Sequence, residues 1–199
     1  MEKNANAPSA SYSRKTKETN ISVQLTLDPA AEIAIDTGVP FLDHMLEAMA
    51  FHGRFGLVVK AAGDIEVDEH HLVEDAGIVL GEALNRLLEA HGPVQRYGQA
   101  VVPMDEALSE VVIDVSGRPY LVFSGLFPQE RIGSFQAILV REFIGGLAAR
   151  GRITIHAHLR YGDNSHHMAE SLFKALGISL GRAYSRARAG GMSTKGSVG

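Results

Sequence analysis

Asp68-Glu69-His70-His71-Leu72-Val73-Glu74 recurs later in the chain as Asn164-Ser165-His166-His167-Met168-Ala169-Glu170. The differences 166 − 70, 167 − 71 and 170 − 74 are all 96, and the same offset pairs Leu80 with Leu176, Gly81 with Gly177, Leu84 with Leu180 and Arg86 with Arg182. Burying one face of a helix demands apolar periodicity. It does not demand His-His-x-x-Glu twice. The repeat therefore predicts two internally related halves, each with imidazole and carboxylate ligands, and a site that holds two metal ions.

Each copy opens a long helix. From His70 to about Ala90 the apolar positions Leu72, Ala76, Val79, Leu80, Ala83 and Leu87 share one face, and Gly92-Pro93 ends the run. The second long helix starts near His166, with Met168, Leu172, Ala175, Leu176 and Ala183 facing inward. Upstream of the first copy, Ile21 to Leu27 alternates as a half-buried strand does. A short strand over 31–35, a helix over 41–52 and a strand over 55–61 follow. The second half repeats the order: strands over 99–102, 110–115 and 120–124, a helix over 135–149 and a strand over 152–159. The expected fold is α+β: a mixed β-sheet with two helices packed on one face, made twice, the halves fused into one compact subunit. The expected boundaries are a disordered start at 1–13, a first half at 14–93, a second at 94–189 and a Gly/Ser/Lys-rich tail at 190–199.

Composition narrows the function. The 199 residues are 45% apolar and 21% charged, as in ordinary globular proteins. A formal charge of −4 suggests no nucleic-acid surface. The chain has no cysteine, so a metal must be held by His, carboxylate or water. No apolar run is long enough for a membrane span, and the start has no apolar secretory core. The expected location is the cytoplasm.

Neighbouring helical residues point about 100° apart, so His70 and His71 more naturally serve two different ions than one. Glu74, one turn on, can pair with either. The same holds for His166, His167 and Glu170. His44 is a further candidate, and its second-half counterpart is Glu142, at an offset of 98. Nitrogen and oxygen donors of this kind suit Mn, Fe, Co, Ni or Zn. His156 and His158, two apart on one strand and not repeated, read as structural. From the residues alone, His52 and His91 read as surface or pocket residues, and Glu18 as a solvated charge before a strand.

Further segments complete a pattern: Arg14-Lys15-Thr16-Lys17-Glu18-Thr19, Phe41-Leu42-Asp43-His44-Met45-Leu46, His52-Gly53, Gly63-Asp64, Pro103-Met104-Asp105-Glu106-Ala107, Ser116-Gly117-Arg118-Pro119-Tyr120-Leu121, Phe173-Lys174-Ala175 and Ser193-Thr194-Lys195-Gly196. In this order, from Arg14 to Gly196, the chain resembles the imidazoleglycerol-phosphate dehydratases, manganese enzymes of histidine biosynthesis. The resemblance implies dehydration of imidazole glycerol phosphate to imidazole acetol phosphate. It also implies two Mn2+ ions per site and a 24-subunit shell with sites at subunit contacts. Carried over by position, His44, His70, His71, Glu74, His166, His167 and Glu170 resemble metal ligands. The last ligand position falls on Glu142, where many members have His. Glu18 and Glu170 resemble the acid–base groups. Arg96, Arg118, Lys174 and Lys195 resemble the phosphate clamp, with Ser193 donating a hydroxyl, and His52 and Asp105 fall among the substrate-binding positions. Members with an added phosphatase domain are longer, so the resemblance leads to the expectation of a monofunctional chain.

The implied chemistry is consistent with such ligands. An imidazole ring held by metal ions can be deprotonated and can then expel the side-chain hydroxyl, while a carboxylate moves protons. Two other classes fit the ligands alone: a dinuclear hydrolase acting on a phosphorylated small molecule, and a non-catalytic metal-storage oligomer.

Overall fold

The structure, a computed structural model, describes residues 7–187. Its first half runs β1 (Ser9–Lys15), β2 (Thr19–Thr26), β3 (Ile33–Asp36), α1 (Pro40–Gly53), β4 (Gly56–Gly63) and α2 (His70–His91). The second runs β5 (Tyr97–Met104), β6 (Ala107–Asp114), β7 (Tyr120–Ser124), a small hairpin of β8 (Arg131–Ile132) and β9 (Phe135–Gln136), α3 (Leu139–Gly151), β10 (Thr154–Tyr161) and α4 (Ser165–Ala183). The two main sheets have matching orders, β1-β2-β4-β3 and β5-β6-β10-β7. In each the last pair is parallel and the rest antiparallel, so both sheets are mixed as expected.

Period-two burial explains the strands. Along β2, Ile21, Val23 and Leu25 point inward; along β6, Ala107, Val111 and Ile113 do. All the apolar positions expected on the two long helices are buried. α2 packs on β1 and β2, and α4 on β5 and β6, while the long helix of each half is covered by the short helix of the other: α2 by α3 and α4 by α1. The helices thus form a layer between two sheets, around one continuous core.

Glycines permit the crossings. A Cβ on Gly177 would lie 2.0 Å from the Met49 carbonyl oxygen, and one on Gly81 would lie 2.6 Å from that of Leu147. Gly81 and Gly177 are equivalent at offset 96, and Met49 and Leu147 at 98. The short helices also end alike, with Arg54 at φ 59° and Arg152 at φ 52°.

Two expectations are corrected. Residues 9–13, read as part of a disordered start, lie in β1, which pairs with β2 along its length. The Ser-rich composition hides an alternation in which Ala10, Tyr12 and Arg14 lean inward and Ser9, Ser11 and Ser13 face out. The helix expected from Phe135 begins only at Leu139. Phe135 is buried in β9 and packs on Phe41 with ring centroids 5.0 Å apart. The hairpin turns at Gly133, whose φ of 60° suits glycine. It also accounts for the changing offset: β6 follows β2 by 88 (107 − 19), but β10 follows β4 by 98 (154 − 56).

Candidate metal centre

The two long helices start in the same way. Asp68 Oδ1 accepts from the His70 backbone N–H at 2.9 Å, and Asn164 Oδ1 accepts from that of His166 at 2.9 Å. Each Asx side chain satisfies an amide that the first helical turn leaves free. The adjacent histidines are thereby fixed in that turn and diverge: His70 and His71 rings are 88° apart in plane, and His166 and His167 rings 86°.

At the start of α4, three side chains converge. His44 Nε2 from α1 lies 3.3 Å from Glu170 Oε2, and His166 Nε2 lies 3.2 Å from the same oxygen. One ligand atom from each lies within 4.8 Å of the others. Phe41 sets its ring edge-on to His166 at 5.4 Å. Two imidazole nitrogens and one carboxylate oxygen fit a borderline divalent cation with bonds of about 2.0–2.2 Å. Glu170 is largely buried, and its other oxygen accepts from Lys174 Nζ at 2.8 Å. Burial alone would raise the Glu170 pKa, but Lys174 and His44 outweigh it and the net shift is downward. The carboxylate is held anionic.

His167, next on α4, is oriented by the β5–β6 turn. Its Nδ1 lies 2.8 Å from Glu106 Oε2, and its Nε2 lies 3.8 Å from Asp105 Oδ2. The Glu106 bond raises the His167 pKa, while the same bond and backbone amides bring Glu106 down to about 2. His71 is served likewise by the loop before α2, with Nδ1 3.1 Å from Asp64 Oδ2. That bond, then the nearby charge of Glu18, raises its pKa. With Nδ1 engaged in both, Nε2 is the nitrogen left for a metal, and the carboxylate fixes the tautomer.

The first-half cluster is looser. His70 Nε2 is 3.7 Å from Glu74 Oε2, with both side chains more than two-fifths exposed. Glu142 is half-buried on α3, and among the described residues it forms no converging ligand group with His70 and Glu74. Glu18 is exposed in the β1–β2 turn, on the His71 side. No hydrogen bond or ion pair among the described residues joins the His71 group to the Glu170 group.

The expected phosphate-binding cations fall in two places. Arg96, at φ 72°, donates to both oxygens of Asp114 at 2.7 and 3.2 Å, and Arg118 Nη2 lies 4.0 Å from Asp114 Oδ2. Lys174 stands apart on α4. His52, at the end of α1, is lowered in pKa by burial and then by Lys174. Ser193 and Lys195 lie outside the described residues. Sequence reasoning gave no role to Asp64 or Glu106. A ligating histidine needs an acceptor for its second nitrogen, and that requirement points to carboxylates in the adjoining turns.

Comparison with known proteins gives the family. The family model described as imidazoleglycerol-phosphate dehydratase matches residues 37–180. An imidazoleglycerol-phosphate dehydratase from Limosilactobacillus fermentum is 51% identical over 191 residues, covering 95% of this chain and 98% of the relative. The crystal structure of the Staphylococcus aureus imidazoleglycerol-phosphate dehydratase (IGPD) superimposes with a TM-score of 0.82 at 37% identity, covering 90% of this chain and 99% of that one. That of the Pyrococcus furiosus IGPD, in complex with (S)-C348, gives 0.82 at 39%, covering 93% and 99%. No helix among the described residues is long and apolar enough to cross a membrane. The chain belongs to the imidazoleglycerol-phosphate dehydratase family, the hydro-lyases of histidine biosynthesis.

Proposed function

We propose that this chain is a manganese-dependent dehydratase, acting in the cytoplasm, that converts imidazole glycerol phosphate to imidazole acetol phosphate and water. The observation that carries this reading is the convergence of His44, His166 and Glu170 beside Lys174. His44, His166 and Glu170 would hold one ion, and His70, His71, Glu74, Glu142 and His167 would complete the shells of a two-ion site. When bound, manganese supplies Lewis-acid stabilisation of negative charge on the substrate's imidazole ring.

The protein's own groups do the rest. Glu170 and Glu18 remove a proton from the substrate carbon and deliver one to the departing hydroxyl, which leaves as water. The enol so formed becomes the ketone. Arg96 and Arg118 hold the phosphate with Lys174, Lys195 and the Ser193 hydroxyl, and His52 and Asp105 contact the rest of the substrate. Glu18 belongs to the His71 group and Glu170 to the other, so a complete site would take its two groups from different copies of the chain. That supports a large homo-oligomer, 24 subunits by resemblance to the family, with sites at the subunit contacts.

The test is to incubate manganese-loaded protein with imidazole glycerol phosphate and assay ketone and inorganic phosphate together. Ketone without phosphate is expected. Phosphate release would assign a hydrolase instead, and neither product from fully loaded protein would leave metal storage. Elemental analysis should find about two ions per chain, and fewer in His167→Ala.

A further inference from the structure

We propose that Asp75 and Thr19 are positioning residues that fix the backbone of Glu18 at the His71 end of the site. The inference rests on the reading of Glu18 as an acid–base group.

Asp75 follows Glu74 on α2 and is only 8% exposed. It lies among Leu72, Ala76 and Val79, where an apolar residue would suit the core. A carboxylate is tolerated there only if its charge and lone pairs are met. The charge is met at Oδ2 by one short segment. Thr19 Oγ1 donates to Asp75 Oδ2 at 2.5 Å, and Arg14 forms an ion pair with the same oxygen. Arg14 lies near the end of β1 and Thr19 starts β2, so Asp75 gathers both strands that flank the Glu18 turn.

The turn is closed from within as well. Thr16 Oγ1 accepts from the backbone N–H of Glu18 at 3.1 Å and of Thr19 at 2.9 Å, and the Thr16 N–H donates to the Thr19 carbonyl at 2.8 Å. On its other side, the Asp64 N–H donates to the Glu18 carbonyl at 3.1 Å. The carboxylate of that same Asp64 holds His71 Nδ1. The Glu18 main chain is therefore clamped between Asp75, acting through Thr19, and Asp64. Its exposed side chain projects from this frame beside an expected metal ligand. An acid–base group on a surface turn needs such a frame, because a misplacement of about 1 Å can cost on the order of a hundredfold in rate.

The test is a kinetic cycle of Glu18→Gln, Thr19→Val and the double variant, on fully metal-loaded enzyme. Valine keeps the volume of threonine and removes the hydroxyl. Thr19→Val should lower kcat about tenfold, with KM and metal content per chain unchanged, and Thr19→Ser should restore it. In the Glu18→Gln background Thr19→Val should add no further loss, because the group it positions is already gone. If Thr19→Val fails to fold, Asp75→Asn enters the same cycle with the same expectation. A loss equally large in the Glu18→Gln background, or no loss at all, overturns the positioning role. A Glu18→Gln enzyme with normal kcat overturns the Glu18 reading and this inference with it.

Discussion

The two halves carry the same His-His-x-x-Glu on the same helix start, yet among the described residues only the second gathers it into a tight cluster. Glu170 is held by His44, His166 and Lys174. Among the described residues Glu74 has one contact of this kind, with His70 at 3.7 Å, and its side chain is 45% exposed against 11% for Glu170. Two substitutions make the difference: where His44 reaches in from α1, α3 carries Glu142, and where Lys174 follows Glu170 by one turn, Ile78 follows Glu74. Duplication conserved the scaffold and the ligand types but not the charge around them. A carboxylate beside an ammonium group and two imidazoles is suited to bind and to handle protons. A solvated one is suited mainly to bind.

The largest expected effect sharpens that contrast. Glu170→Gln should reduce kcat by about a hundredfold or more, as loss of an acid–base group does, with metal content measured alongside. Glu74→Gln should act chiefly on metal affinity and much less on kcat at saturating manganese. Equal losses of kcat in the two fully loaded variants would mean that the halves are chemically equivalent.

The supporting carboxylates differ more than the ligands do, because Asp64 precedes its helix whereas Glu106 reaches His167 from a distant hairpin. Glu106→Gln and Asp64→Asn should each weaken metal binding by about 10–100-fold, the usual consequence of losing a partner that orients a ligating histidine. Isothermal titration with manganese checks this. Glu106, with the shorter contact, should show the larger change, and the reverse order would contradict the role given to bond length.

The long helices are legible because their apolar faces repeat over several turns, and the paired histidines at their starts because they occur twice. β1 is hidden by serine, whose polar composition masks the alternation of Ala10, Tyr12 and Arg14. Phe135 reads as helix because a buried aromatic before an apolar run looks the same in a two-residue strand. The roles of Asp64 and Glu106 are not legible, because a side chain's partner across the fold leaves no periodic trace. Asp75 is of the same kind: its partners, Arg14 and Thr19, are more than fifty positions away.

A pH dependence follows from the same two histidines. Hydrogen bonds to Asp64 and Glu106 raise His71 and His167 above the ordinary value of 6.5. A ligand must lose its proton before the metal binds, so a raised pKa makes the proton a competitor at higher pH. Manganese affinity should therefore fall as pH drops through those raised values, by at most about tenfold per pH unit for each proton displaced. Glu106→Gln removes the cause at His167 and should move the onset to lower pH. An affinity that stays flat from pH 8 to 6 would show that neither histidine binds metal.

The smallest effects compare the two helix crossings. Alanine suits a helix interior better than glycine by roughly 0.5–1 kcal/mol, so the sign of a Gly→Ala change reports the space available. At Gly145 on α3 an added Cβ would meet, among the described residues, only Leu121 Cδ2, at 3.8 Å. Gly145→Ala should therefore raise the thermal midpoint, by about 2–4 °C for each kcal/mol gained. At Gly177 the Met49 carbonyl is 2.0 Å away, and Gly177→Ala should force α1 and α4 apart at a cost of about 1–3 kcal/mol. Gly81 faces Leu147 at 2.6 Å, so Gly81→Ala should lower the midpoint too, but by less. The measurement is thermal unfolding of the three variants at one protein and metal concentration. A stabilising Gly81→Ala would mean that the α2–α3 crossing can widen where its twin cannot, and that the halves differ in packing as well as in charge.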